Sequence, residues 1–149
     1  MKRQFVLIDD DPINNVISKA SIAKAYGDNI KAFIDPKVAV SYIENDPVLN
    51  SMDVHIVVLL DINMPVMNGW DVLERFEKLH DRIKSRMDIF ILSSSKHPLD
   101  RIKADSHPLV KGFLDKPLTI PKIVQALSPR PVAHINPYQS FLTLQPVLR

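Results

Sequence analysis

Four short apolar runs in this chain each stop at residues with chemical capacity. Phe5-Val6-Leu7-Ile8 stops at Asp9-Asp10-Asp11, Ile56-Val57-Val58-Leu59-Leu60 at Asp61, Ile89-Phe90-Ile91-Leu92 at Ser93, and Val110 to Leu114 at Asp115-Lys116-Pro117. Acids, a hydroxyl and a cation are the groups that phosphoryl transfer uses, because that reaction needs positioning and charge neutralisation more than covalent help. Carboxylates brought together are costly unless a hard cation neutralises them. Oxygen-only donors suit Mg²⁺, whereas zinc or copper would call for histidine or cysteine. Asp61 ends the most apolar run, which makes it the expected nucleophile toward phosphorus, with Lys116 opposite it.

The elements that must bring these residues together are legible from periodicity and punctuation. The short continuous runs read as strands buried on both faces, and Ile30 to Ile34 adds another. Asp11-Pro12 and Asp35-Pro36 each read as an N-cap followed by proline at the first helical position. The first opens a helix with Ile13, Val16, Ile17 and Ala20 on one face, stopping at Gly27; the second opens a helix through Val38, Tyr42 and Ile43. Further helices are expected at Val72 to Leu79, at about Pro98 to Ala104, and at Ile120 to Leu127, while 45–55 and 80–88 read as long connections. Strands alternating with helices predict an α/β fold, a doubly wound five-stranded parallel sheet with helices on both faces. In such a sheet ligands bind outside the carboxyl ends of the strands, where all four polar strand ends fall. Residues 1–127 read as one domain and 128–149, with Pro129, Pro131, Pro137 and Pro146, as a tail or linker.

Composition removes other classes. Among 149 residues there is no cysteine, so disulfides, thiolate metal sites and a thiol nucleophile are absent, which fits a cytoplasmic setting. Gly27, Gly69 and Gly112 are the only glycines, too far apart for a dinucleotide fingerprint or a P-loop. A formal charge of +2 gives no reason to expect nucleic acid, and no apolar run approaches the ~18 residues of a membrane span. The five histidines, His55, His80, His97, His107 and His134, show no metal-ligand spacing and read as structural or surface residues.

Taken together, Leu7-Ile8-Asp9-Asp10-Asp11-Pro12, Leu60-Asp61-Ile62-Asn63-Met64-Pro65-Val66-Met67-Asn68-Gly69, Ile91-Leu92-Ser93 and Phe113-Leu114-Asp115-Lys116-Pro117 resemble the motif blocks of the response-regulator receiver domain, in family order and over roughly residues 3 to 127. The resemblance implies the flavodoxin-like strand order 2-1-3-4-5. It also implies that Asp61 accepts a phosphoryl group from a sensor histidine kinase or a histidine phosphotransfer protein. Asp10 would be a direct Mg²⁺ ligand and Asp9 one acting through water, with the Asp61 carboxylate and the backbone carbonyl of Asn63 completing the protein ligands. Lys116 would pair with phosphoryl oxygens, and the peptide before Pro117 is commonly cis. Ser93 and Phe113 would carry the switch to a downstream protein target through the fourth helix, fifth strand and fifth helix, a face that could also pair two copies. Phe113 stands where the family more often has tyrosine, so no ring hydroxyl takes part.

Two alternatives stay open at this level. An Mg²⁺-dependent phosphohydrolase forming an aspartyl-phosphate shares the Asp, Lys and Ser chemistry, although Asn63 stands where that class has its acid/base. The chain could also be the receiver part of a longer regulator. Asp11, directly before Pro12, reads better as a helix cap than as a ligand, and Trp70 as a packing residue at a helix start.

Overall fold

A computed structural model describes residues 2–51 and 53–129. Five strands, β1 (Lys2–Ile8), β2 (Ile30–Phe33), β3 (Val54–Leu60), β4 (Met87–Ser93) and β5 (Val110–Asp115), form one parallel sheet in the order β2-β1-β3-β4-β5. The helices are α1 (Pro12–Tyr26), α2 (Pro36–Asn45), α3 (Gly69–Glu77), α4 (Asp81–Lys84), α5 (Pro98–Ser106) and α6 (Ile120–Leu127). Fold class and strand order are those expected from the sequence.

The alternation of side chains along each strand splits the core into two layers. Val6, Ile8, Ile56, Val58, Leu60, Ile89 and Ile91 face one way, against Val40 and Ile43 of α2 and Val72, Leu73 and Phe76 of α3. Phe5, Leu7, Val57, Leu59, Phe90 and Leu92 face the other way, against Ile22 of α1 and Ile123 of α6. Asp11 and Asp35 cap α1 and α2 through the Ile13 and Lys37 N–H groups, with proline next, as their spacing predicts. Among the described residues no helix is long and apolar enough to cross a membrane.

The structure fixes which side of α1 meets the core and corrects two local expectations. The apolar stripe of α1 points to solvent: Ile13 is 68% exposed and Val16 69%, while the inward positions are Asn15, Ser18 and Ile22. The connection 80–88 contains the single turn α4, and β3 begins at Val54 rather than Ile56. These two lengthened stretches meet around the buried Arg86, which donates to Val54 O (2.6 Å), Arg82 O (3.0 Å) and Leu49 O (3.1 Å). A guanidinium, whose five N–H groups cannot be left dry and unpaired, thereby ties them to the amino-terminal edge of the sheet, opposite the polar strand ends. Of the tail, residues 130–149 lie outside the described residues.

Candidate functional site

Register decides which strand ends become neighbours. Ile8 pairs with Leu60, so the residues that follow, Asp9 and Asp61, emerge side by side, and Asp61 N donates to Ile8 O at 2.9 Å. Ser93 pairs with Asp115, and Lys116 N donates to Ser93 O at 3.0 Å, which brings the hydroxyl and the cation to the same edge. One carboxylate oxygen from each of Asp9, Asp10 and Asp61 lies within 4.8 Å of the others. Lys116 Nζ reaches across to Asp9 Oδ2 at 2.7 Å and Asp61 Oδ2 at 3.1 Å. Asp9 and Asp61 are buried, and Asp10 is the most open of the three.

Local structure fixes each group. Asp9 Oδ1 accepts the Asp11 N–H (2.9 Å), and Asn15 Nδ2 donates to Asp9 O (2.9 Å), so the corner between β1 and α1 is closed by a buried amide. Asn15 was not legible as a site residue. It is a polar helix residue whose role depends on the inward face of α1. Asp61 Oδ1 accepts the Asn63 N–H at 3.0 Å. The loop after Asp61 folds back on it through Gly69, whose N–H donates to Ile62 O. A Cβ at Gly69 would stand 2.6 Å from Asp61 O, so only glycine permits that approach. Within this loop Val66 has φ 69 and Met67 N donates to Pro65 O (2.8 Å), a γ-turn that holds an exposed β-branched side chain in a strained conformation.

Burial pushes the Asp61 carboxyl above its ordinary value. The Asn63 N–H and Lys116 only partly offset it, and the Asp9 charge adds to the rise. For Lys116 burial acts first and downward, but the hydrogen bond to Asp9 and the charges of Asp61 and Asp9 overcome it, and its ammonium is held above its usual value. Lys116 is therefore a fixed cation between two acids. Three carboxylates against this one ammonium leave two negative charges in excess, the complement of a divalent cation, and every donor atom is a hard oxygen. The donor set fits Mg²⁺.

Ser93 is fully buried, its Oγ accepting the Ser95 N–H (3.1 Å) and approached by Asn63 Nδ2 (3.5 Å). Phe113 lies half-buried on β5 with the Arg101 guanidinium of α5 stacked 4.8 Å from its ring centroid. The peptide between Lys116 and Pro117 is cis. The histidines within the described residues serve the scaffold. His80 and His97 cap α4 and α5 through their Nδ1 atoms, while His55 pairs with Asp88 (2.8 Å) and His107 with Glu77 (2.6 Å). His134 lies outside the described residues. Trp70 is partly buried against the core, with Lys103 Nζ above its ring at 4.5 Å.

Residues 5–128 match the family model described as the response regulator receiver domain. Among solved structures, the chain is similar to a response regulator receiver protein from Dyadobacter fermentans (24% identity, TM-score 0.74), with 84% of this chain and 94% of that one covered. It is also similar to a two component response regulator from Cytophaga hutchinsonii (26% identity, TM-score 0.74, coverage 85% and 95%). The chemotaxis protein CheY4 of Vibrio cholerae shares the fold at 20% identity and TM-score 0.64, with 85% and 97% covered. No curated protein matches the chain.

Proposed function

The chain belongs to the response regulator receiver family, and from that premise we propose that it is a phosphoacceptor in two-component or phosphorelay signalling, taking a phosphoryl group from a phosphohistidine onto Asp61. The observation that carries this reading is the buried Asp61 carboxylate, held beside Asp9 and Asp10 with Lys116 bridging to it at 3.1 Å. An Asp61 oxygen attacks phosphorus as the phosphorus–nitrogen bond breaks and the electron pair returns to that imidazole nitrogen; with the other ring nitrogen of the phosphohistidine protonated, the leaving group is neutral histidine. Asp10, Asp61 and the Asn63 carbonyl, with Asp9 acting through water, would hold Mg²⁺, which when bound neutralises charge on the transferring group. Lys116 needs no proton transfer to act: it stays charged and pairs with a phosphoryl oxygen in place of carboxylate. The fully buried Ser93 hydroxyl is the donor to a second oxygen, which links the transfer to β4, Phe113 and α5.

The donor is a histidine-bearing protein, and the surface next to the site supports this. Ile13, Val16 and Ile17 form an exposed apolar stripe along α1, which starts two residues after the Asp10 ligand, and α6, packed beside α1, exposes Ile120 and Val124. A stripe at this spacing, turned to solvent, suits a partner helix laid along it. The phosphohydrolase alternative lacks such support. Two residues after Asp61 stands Asn63, an amide aimed at Ser93 and not a carboxyl.

Incubation with acetyl phosphate and Mg²⁺ tests the proposal. A one-phosphoryl adduct in the intact mass, lost with EDTA and in Asp61→Asn, is the expected result. A folded wild-type chain that gains no adduct and takes up no beryllofluoride would overturn it.

A further inference from the structure

Ser93 can reward a phosphoryl group only if its hydroxyl hydrogen is free to be given. A serine hydroxyl has one hydrogen to donate and two lone pairs. Here the Ser95 N–H addresses one lone pair at 3.1 Å and Asn63 Nδ2 approaches the other at 3.5 Å. The Asn63 amide is anchored on the loop after β3. The Ser95 N–H belongs to the turn between β4 and α5, where Ser94, Lys96 and His97 are exposed and residues 94–97 carry no apolar side chain of their own.

That turn is held by side-chain hydrogen bonds. Ser95 Oγ donates to Asp100 Oδ2 at 2.5 Å and accepts the His97 N–H at 3.3 Å. Asp100 is in the first turn of α5, where a carboxylate is favoured by the helix dipole, and a bond to an ionised acceptor is stronger than one between neutral groups. The connection therefore runs from Asp100 through Ser95 to Ser93.

We infer that Asp100 is a positioning residue for phosphoryl capture: through Ser95 it fixes the N–H that orients the Ser93 hydroxyl, and it thereby couples the occupancy of Asp61 to the placement of α5. The inference rests on the phosphoacceptor reading above. It gives α5 a link to the site besides Phe113, and by reciprocity a partner that displaces the first turn of α5 alters affinity for the phosphoryl group.

The test is titration of the full chain with beryllofluoride and Mg²⁺, followed by ¹⁹F NMR, with amide exchange of 98–106 recorded on the same samples. Asp100→Ala and Ser95→Ala are each expected to weaken binding by about threefold to tenfold, the scale of one lost hydrogen bond. The double variant should be no weaker than either single one. Asp100→Asn keeps an acceptor oxygen and should return to within about twofold of wild type, which a general loss of helix stability would not explain. Beryllofluoride should change exchange in α5 of the wild type and change it less in Asp100→Ala. Undiminished binding by Asp100→Ala, additive losses in the double variant, or Asp100→Asn as weak as Asp100→Ala would each overturn the inference. A wild type that neither binds beryllofluoride nor gains an adduct from acetyl phosphate would instead remove the phosphoacceptor reading.

Discussion

Helices α3 and α5 are both nine residues long and both lie on the same face of the sheet, yet they are held by different physics. From α3, Val72, Leu73 and Phe76 are buried to 1% or less, and Asn68 and Asp71 close its first turn as a reciprocal capping box. From α5 only Ala104 is buried, and Leu99 and Ile102 are 64% and 59% exposed. What holds α5 is polar and peripheral: Arg101 over Phe113, Lys103 over Trp70, His107 against Glu77 and Asp100 against Ser95. Burying each large side chain of α3 contributes about 1.5–3 kcal/mol, whereas exposed cation–π contacts and surface ion pairs contribute at most about 1 kcal/mol apiece. The site thus has one fixed wall, built by β1, β3 and α3 around Asp9 and Asp61, and one wall that can be displaced at small cost, built by Ser93, its turn and α5.

The largest test of this contrast is Phe76→Ala, expected to lower unfolding free energy by about 3–5 kcal/mol in denaturant titration, because the ring is fully buried between α3 and the sheet. A loss below about 1 kcal/mol would erase the distinction between the two helices. An intermediate effect of opposite sign is expected on the fixed wall itself. Burial raises the Asp61 pKa, so the folded state holds that proton more tightly than the unfolded chain. Stability therefore declines as pH rises from the unfolded carboxyl value, about 3.9, through the raised folded value, and the deficit is complete above it. Asp61→Asn should consequently raise Tm at pH 7, and the gain should fade as pH falls through the folded pKa toward the unfolded one. Thermal unfolding at several pH values, without Mg²⁺, checks it; an equal gain at every pH would place its cause elsewhere. The smallest effects belong to the movable wall. Arg101→Ala and Lys103→Ala should each change stability by less than about 1 kcal/mol, while amides of α5 exchange faster than those of α3 in the wild type. Equal protection of the two helices would contradict the comparison.

The strength of local signals explains why some features were legible and others not. Apolar runs stopping at Asp9, Asp61, Ser93 and Lys116 marked both the strands and the polar ends that gather at the candidate site, since strand length, burial on both faces and the change to polar residues are all encoded within a few positions. Asp11 and Asp35 with their prolines marked two helix starts for the same reason. The side of α1 that faces the core was not legible. Its apolar spacing places Ile13, Val16 and Ile17 on one face, but Asn15 is needed inside to bond Asp9 O and Phe33 O, and a helix rotated to bury the stripe would leave those carbonyls without that amide. Arg86 was equally hidden, since a buried guanidinium makes sense only once Leu49, Val54 and Arg82 surround it.

The sequence by itself determined the order of strands and helices, the acids and the lysine that follow the strands, and the glycine at 69 that lets the loop fold onto Asp61, because each is a matter of residue type and near-neighbour spacing. Only the tertiary structure decided that Lys116 lies between Asp9 and Asp61, that α1 presents its apolar stripe to solvent, and that α5 is moored through Arg101, Lys103, His107 and Asp100. Those outcomes depend on strand register and helix rotation, which are set by which buried polar groups find partners across the sheet and not by any pattern within one segment.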